Sequence, residues 1–262
     1  MSDLVLRDVR DGVCLLTLNR PERMNAWTHE LEARYFDLLE EADRDPGTRA
    51  VVVTGAGRGF CPGFDMDALA AMSAGEGNGA AQAPRRPQTF PLTVRKPIVA
   101  AINGACAGIG LVQALMCDLR FAAAGVKLTT AFARRGLVAE HGSSWLLPRL
   151  VGPAHALDLL LSGRVFLAEE AERLGVVNRV LPGEQLLGHA LAYARDLAAN
   201  CSPASMAAMK AQVYRDLERG LDESLEDADR LMLESFARPD FGEGVQSFVE
   251  RRPPSFAGLD PQ

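Results

Sequence analysis

The sequence predicts an α/β fold, with helices packed on β-sheets, followed by a helical C-terminal region. The order strand, turn, helix and strand occurs twice in the first half of the chain, which is typical of this class. Beyond Leu150 the hydrophobic pattern becomes mainly helical. The 262 residues, 48% of them hydrophobic, are enough for one large core. We therefore predict a core over residues 1–200 and a helical oligomerisation region over residues 201–262.

The first predicted unit begins with a β-hairpin. Alternating hydrophobic residues over 4–9 and 13–18 flank Asp11-Gly12, a dipeptide typical of tight hairpin turns. From Trp27 to Ala42, hydrophobic residues recur at helical spacing and predict an amphipathic helix. Residues 50–54 form a short hydrophobic run, as expected for a strand buried on both faces of a parallel sheet.

The second unit repeats this plan. Strands are predicted over 98–102 and 119–123, with a turn over 103–108 and a helix over 109–117 between them. The segment 73–91, which separates the two units, is rich in Gly, Ala and Pro and has no periodicity. It is therefore predicted to be a mobile loop.

The C-terminal region contains two clear helix signals. Ser202-Pro203 predicts a helix start, because Ser caps the first turn and Pro suits the first helical position. A hydrophobic face follows at Met206, Met209, Val213 and Leu217. A second helix is predicted from about residue 222 to 237. Since these faces have no strand partner, we expect them to pack against the core or another subunit.

Composition excludes several classes of protein. The net charge of −6 argues against binding to nucleic acid or an anionic membrane surface. No hydrophobic run approaches the roughly 20 residues of a membrane span, and the N-terminus lacks the pattern of a signal peptide. The five cysteines show no CxxC or His pairing, which predicts reduced thiols in a cytoplasmic protein and no metal site.

A glycine-rich stretch after the strand at 50–54 resembles a dinucleotide-binding turn only superficially. The motif G-x-G-x-x-G, counted from Gly55, requires Gly at the position of Phe60, and the turn runs into Pro62 instead of a helix. No Tyr is followed four residues later by Lys. We therefore do not expect an NAD(P)-dependent oxidoreductase.

Two other turns carry the candidate chemistry. Residues 59–66 and 103–110 each follow a buried strand, and their glycines allow sharp bends that expose the next amide. The second turn opens a helix, so the N–H groups of Ile109 and Gly110 lack partners within it. Two such amides directed at one oxygen would stabilise an enolate, and loss of one typically costs about 3–4 kcal/mol.

At these residues the chain resembles the crotonase (enoyl-CoA hydratase/isomerase) superfamily. The resemblance covers nearly the whole chain and rests on four segments in order at family spacing: 18–26, 53–65, 96–104 and 116–120. It implies a crotonase-like spiral of ββα units and a homotrimer or dimer of trimers. It also implies an acyl-coenzyme A thioester as substrate, with no further cofactor.

The resemblance also implies roles for individual residues. The oxyanion amides would be those of Phe64 and Ile109. The coenzyme A site would be lined by Met24, Ala26, Cys61, Gly63, Asp65, Met66, Gly108 and Phe132. Among these, Asp65 is interpreted as a carboxylate that fixes its turn, and Phe132 as a wall of the acyl pocket. A weaker match over Arg251, Arg252 and Phe256 implies contact with the coenzyme A of a neighbouring subunit.

The chain departs from the hydratases at their catalytic carboxylates. Val112 and Phe132 occupy the positions at which hydratases carry two glutamates. A different carboxylate, Glu140, lies eight residues beyond Phe132, a placement similar to the isomerase branch, which includes ring-epoxide and 3,2-trans-enoyl-CoA isomerases. There one Asp or Glu moves a proton along the acyl chain. Glu140 is therefore predicted to be the proton-transfer residue of an isomerase.

Three alternatives remain open at the sequence level. The enzyme can be a hydratase or hydrolase of the same superfamily, in which Glu140 activates water, or a non-catalytic acyl-CoA-binding protein. Alternatively, Glu140 is a surface residue paired with Arg134, Arg135 or Arg149. His141, next to it, is interpreted as a hydrogen-bonding neighbour that can also share its role.

Overall fold

Two β-sheets organise the computed structural model, which describes residues 3–74 and 86–260. The strands are β1 (Val5–Arg10), β2 (Val13–Leu18), β3 (Ala50–Gly55), β4 (Gly59–Cys61), β5 (Ile98–Ile102), β6 (Ala105–Ala107), β7 (Leu119–Ala123), β8 (Lys127–Thr129), β9 (Phe166–Leu167) and β10 (Arg179–Leu181). The larger sheet has the order β1-β2-β3-β5-β7-β10, and the smaller one the order β4-β6-β8-β9. Every residue of β3 and β5 is buried, as their uninterrupted hydrophobic runs predict.

The helices cover the sheets and form the C-terminal region. They are α1 (His29–Arg44), α2 (Met66–Ser73), α3 (Ile109–Leu115), α4 (Ser143–Ser162), α5 (Ala168–Leu174), α6 (Gly183–Asn200), α7 (Pro203–Asp216), α8 (Leu221–Phe236) and α9 (Pro239–Glu250). Successive strands alternate between the sheets: β3, β5 and β7 join the larger one, while β4, β6 and β8 join the smaller one. A helix follows β4 and β6 directly, so the chain repeats a ββα unit. The predicted α/β class is confirmed.

The first unit agrees with the sequence prediction except at the start of its helix. The hairpin turn at Asp11 and Gly12 has φ angles of 52° and 76°, the left-handed pair that a two-residue hairpin requires. Helix α1 begins at His29, two residues later than predicted, because Trp27 instead forms a β-bridge with Phe64. The Thr28 hydroxyl then caps the helix by accepting from the Leu31 amide at 3.2 Å.

The second unit contains a strand where a turn was predicted. Residues 105–107 form β6, and α3 ends at Leu115, two residues earlier than predicted. Residues 75–85 of the predicted mobile loop lie outside the described residues. The part that follows is packed, which corrects the prediction there: Gln88 is only 8% exposed and Pro91 is buried.

Two glycines allow the second unit to lie against the first. A Cβ at Gly104 would lie 2.0 Å from the Arg58 carbonyl oxygen, and one at Gly110 would lie 2.2 Å from the Cys61 carbonyl oxygen. Both distances are far below a van der Waals contact. Glycine at these positions therefore brings the turn before α3 onto the strand β4.

The C-terminal helices begin as the sequence predicts. Ser202 caps α7 by accepting from the Ser205 amide at 3.1 Å, and α8 starts within one residue of its predicted position. Lys210 ties α7 to the core through an ion pair of 2.8 Å with Asp118, whose other oxygen accepts from the Tyr214 hydroxyl. Helix α9 was not predicted as a separate element. Within the described part of the chain, no helix has the length and hydrophobicity to span a membrane.

Candidate functional site

A cavity of about 600 Å³ lies where the turn after β4, the start of α3 and the turn before α4 meet. Most of the predicted site residues line it: Ala26, Gly63, Phe64, Asp65, Met66, Gly108, Ile109, Phe132 and Glu140. Met24 and Cys61 do not. Met24 lies beside Gly59, and Cys61 is fully buried, which raises the pKa of its thiol to about 12 and makes it a poor nucleophile.

The first candidate donor is the Phe64 amide. On either side of it, the Trp27 amide donates to the Gly63 carbonyl at 2.8 Å, and the Asp65 amide donates to the Trp27 carbonyl at 2.9 Å. Because successive N–H groups of an extended chain point in opposite directions, the Phe64 amide points away from Trp27. Among the described residues it has no hydrogen-bond acceptor.

The second candidate donor is the Ile109 amide, at the first position of α3. The preceding amide, of Gly108, donates to the Thr129 carbonyl at 3.1 Å, and the helix ladder starts only when Val112 donates to Gly108. Within the described residues the Ile109 amide also has no acceptor. A Cβ at Gly108 would lie 3.8 Å from the Gly63 Cα, so the two turns are adjacent. One cavity is therefore lined by both residues, whose amides have no acceptor in the described part of the chain.

Glu140 lies on a sharp turn at the start of α4. His141 and Gly142 both have left-handed backbone angles, and the turn is closed by Ser143, whose amide and hydroxyl donate to the Glu140 carbonyl at 2.9 and 2.7 Å. The Glu140 side chain is 29% exposed, and its Oε2 lies 2.9 Å from His141 Nε2. Ser143 thus fixes the backbone of Glu140, whose side chain lines the cavity beside the His141 imidazole.

The arginines proposed as partners of Glu140 bind elsewhere. Arg134 donates to the Ser162 carbonyl, Arg135 donates weakly to the Ala131 carbonyl, and Arg149 stacks on Trp145. Within the described chain, the ionisable side chain next to the Glu140 carboxylate is the His141 imidazole, at 2.9 Å.

The positions of the two hydratase carboxylates are hydrophobic in the structure as well. Val112 is buried in the core, and Phe132, which is 5% exposed, forms part of the cavity wall.

Asp65 fixes the turn that carries the Phe64 amide. Its Oδ2 accepts from Arg20 at 3.0 Å, and its Oδ1 accepts from the Asp67 amide at 3.1 Å in the first turn of α2. Burial opposes ionisation of Asp65, but the hydrogen bonds from Arg20 and Asp67 outweigh it and lower the pKa of the carboxyl. The geometry agrees with the predicted structural role.

The sequence analysis missed a polar group at the cavity. Glu32, Gln88 and His29 line the cavity, and Glu32 is only 2% exposed. One signal was present: Glu32 lies three residues before Tyr35 and seven before Leu39, which places it on the buried face of α1. No comparable pattern marks Gln88. The described residues contain no cluster of His, Cys, Asp and Glu suited to a metal ion.

The C-terminal residues form a separate pocket. Phe256 lines a cavity of about 480 Å³ together with Phe241 and Phe248, while Arg252 pairs with Glu243 at 2.6 Å. Contact of this region with a neighbouring subunit's coenzyme A stays a prediction.

Known proteins match this chain over nearly its full length. Residues 8–259 match the family model described as Enoyl-CoA hydratase/isomerase. The chain is 35% identical to 1,2-epoxyphenylacetyl-CoA isomerase of Escherichia coli, covering 98% of this chain and 100% of that protein. It is 37% identical to a probable enoyl-CoA hydratase of Rhodobacter capsulatus, with 96% of each covered. A crystal structure of an enoyl-CoA hydratase from Mycobacterium marinum aligns with a TM-score of 0.71 at 52% identity, covering 83% of this chain and 100% of that one.

Proposed function

Because the chain belongs to the enoyl-CoA hydratase/isomerase family, as its resemblance to the crotonase superfamily predicts, we propose that it isomerises an acyl-CoA thioester through an enolate. The reaction moves a double bond or opens a strained ring. Glu140 transfers the proton, and the amides of Phe64 and Ile109 hold the thioester oxygen. The substrate is the coenzyme A ester itself.

The chemistry follows from the two kinds of group at the cavity. When the thioester oxygen accepts from both amides, negative charge on that oxygen is stabilised, which acidifies the neighbouring carbon. The Glu140 carboxylate removes a proton from one carbon and becomes a carboxylic acid. In a double-bond shift, the electron pair of the broken C–H bond moves towards the thioester oxygen, and the acid then returns the same proton to another carbon as the enolate collapses. General acid–base catalysis of this kind contributes about 10²–10⁴-fold in rate.

One observation carries this proposal: Glu140 lines the same cavity as Phe64 and Ile109, whose amides lack an acceptor among residues 3–74 and 86–260. At the same time, Val112 and Phe132 occupy the positions of both hydratase carboxylates. Water addition normally divides two tasks, positioning water and delivering a proton, between those two groups. A single carboxylate suits the stepwise removal and return of one proton.

The decisive experiment gives the protein a 3-enoyl-CoA and, separately, a 2-enoyl-CoA in water labelled with heavy oxygen. We expect the double bond to move without label entering the product, as mass spectrometry would show. Glu140→Gln should lower turnover by about 10²–10⁴-fold while leaving the affinity for the thioester nearly unchanged. If heavy oxygen enters the product faster than the double bond moves, the isomerase assignment is refuted.

A hydratase or hydrolase is the second candidate function, because Glu140 is 29% exposed and therefore has access to water. The relative from Rhodobacter capsulatus is itself named a probable hydratase. In this case Glu140 activates water, and the same labelling experiment would detect heavy oxygen in the product. A protein that binds acyl-CoA without turnover, the third alternative, would show no activity for Glu140→Gln to remove.

We further propose that the C-terminal helices join copies of the chain into a trimer or a dimer of trimers. Several large hydrophobic side chains on α7–α9 are more than half exposed: Met209, Val213, Leu221, Met232, Leu233, Phe248 and Val249. Exposed hydrophobic surface of this extent is typical of a protein–protein interface. This supports the predicted role of residues 201–262 in oligomerisation.

A further inference from the structure

Four buried polar side chains form a continuous hydrogen-bonded chain beside the cavity. The Trp27 indole N–H donates to Glu32 Oε2 at 3.0 Å, and the Gln88 side-chain amide donates to the same oxygen. Gln113 donates to the Gln88 side-chain oxygen at 2.8 Å and to the Gln88 carbonyl at 3.2 Å. Exposure of the four ranges from 1% for Trp27 to 8% for Gln88. We call these four residues the Glu32 network.

One end of the Glu32 network pairs with the segment that carries the Phe64 amide, and the other end lies on the helix that carries the Ile109 amide. At one end, Trp27 holds the backbone of Gly63 and Asp65 on either side of Phe64. At the other end, Gln113 is four residues beyond Ile109, one turn along α3 on the same side of the helix. The side chains of the network therefore connect the Ile109 helix to Trp27, whose backbone holds the Phe64 segment.

The backbone connection between these segments is irregular at this point. Strand β4 pairs with β6, but the register shifts between Gly59 and Cys61, just before the turn that carries Phe64. A shifted ladder fixes the relative position of two segments less well than a regular one. Hydrogen bonds restrict both distance and angle, whereas hydrophobic contact is not directional. A buried chain of hydrogen bonds suits the task of holding the two segments in place.

We propose that the Glu32 network positions the Phe64 and Ile109 amides relative to each other, with Glu32 and Gln88 as positioning residues. The inference rests on the proposed function, because it assigns these residues to the same oxyanion site. An oxyanion donor must lie about 2.7–3.1 Å from the oxygen. A misplacement of about 1 Å can cost about 10²-fold in rate. Loss of the network should therefore weaken polarisation of the thioester carbonyl.

The test uses isotope-edited infrared spectroscopy of butanoyl-CoA, a saturated thioester that reports carbonyl polarisation without turnover. We expect wild-type protein to shift the carbonyl band to lower frequency than in free thioester. Glu32→Leu should lose most of that shift and lower kcat by about 10²-fold with little change in KM. Glu32→Gln keeps an acceptor oxygen and should restore both the band shift and kcat. As a control, Thr54→Val removes a buried 2.9 Å hydrogen bond to Ala101 and should lower Tm without changing the carbonyl band.

Three results would overturn the proposal. The first is a folded Glu32→Leu variant with a wild-type band and kcat. The second is Glu32→Gln that keeps the band shift but loses activity, because Glu32 would then act in proton transfer. If Glu32→Leu does not fold, Gln88→Met breaks the network at its next link instead. The third result is a Gln88→Met variant that keeps the full band shift. Wild-type protein with neither band shift nor turnover would refute the proposed function itself, whereas these three results refute the positioning role alone.

Discussion

Replacing Gly110 by Ala should push apart the two turns that carry the candidate oxyanion amides. A Cβ at this position would lie 2.2 Å from the Cys61 carbonyl oxygen and 2.7 Å from the Cys61 Cβ. Ordinary van der Waals contact begins at 3.4 Å, so the first gap must widen by about 1.2 Å, the difference between 3.4 and 2.2 Å. The obstructing atom belongs to the backbone of β4 and cannot swing away as a side chain does. Either α3 or β4 must therefore move.

This displacement has separate consequences for catalysis and stability. Gly110 follows Ile109 directly, so its movement displaces that amide relative to the Phe64 amide. A displacement of about 1 Å corresponds to a loss of about 10²-fold in kcat/KM, or about 2.7 kcal/mol of barrier. Overpacking of a filled core costs about 1–3 kcal/mol of unfolding free energy. The assay measures kcat/KM with a 3-enoyl-CoA and the free energy of unfolding in urea.

Gly188→Ala provides the matched control for Gly110→Ala. Gly188 lies inside α6, and nothing is within 4 Å of the position of its Cβ. Because Ala is a better helix former than Gly, this variant should gain about 0.5–1 kcal/mol of stability and keep full activity. If Gly110→Ala folds and keeps wild-type kcat/KM, close approach of α3 to β4 is not needed for catalysis and the reasoning is wrong.

Two further predictions concern stability and assembly. Asp65→Asn should lower the free energy of unfolding by about 2 kcal/mol at pH 7, because the pairing with Arg20 is lost. Since the folded-state pKa of Asp65 is lowered, its stabilisation is present above the unfolded pKa of about 3.9 and is lost as pH falls through the folded value. The difference between variant and wild type in urea unfolding should accordingly shrink towards zero in acid, and a constant difference would contradict this. Phe248→Asp places a charge on a side chain that is 85% exposed and should convert the proposed trimer to monomers in sedimentation, whereas an unchanged mass would exclude this face as the interface.

The sequence predicted best those elements whose signals are local. The strands β3 and β5 are uninterrupted hydrophobic runs, and Asp11-Gly12 encodes its own turn geometry, so these needed no tertiary information. The strands β4 and β6 were missed because each has three residues within a glycine-rich turn and shows no periodicity. Trp27 fits the helical spacing of α1, but its long-range bridge to Phe64 draws it out of the helix. Tertiary pairing overrides local preference there.

The residues of the candidate site also fall into two groups, those with a local sequence signal and those without one. The turn at the start of α3 itself marked the Ile109 amide, whereas Phe64 was implied by the resemblance to the crotonase superfamily, and both residues line the cavity. Glu32 and Gln88 are 56 positions apart, and the contact between them exists only because the segment after residue 85 packs on α1. A hydrogen bond between such distant polar residues leaves no local pattern. The spacing of Glu32 shows only that it is buried, not what it binds.

Three carboxylates of the described residues line the cavity, and they differ in how freely they can exchange a proton with a substrate. Asp65 is held ionised by Arg20 and the Asp67 amide, and its lowered pKa makes it a poor acid. Glu32 is only 2% exposed, and its Oε2 already accepts from Trp27 and Gln88. Glu140 contacts only His141 among the described ionisable groups, on its own turn. Among the described carboxylates at the cavity, Glu140 therefore best fits the proposed transfer, in which it serves first as base and then as acid. Isomerisation requires these two roles in succession, whereas water addition requires them from two groups at once.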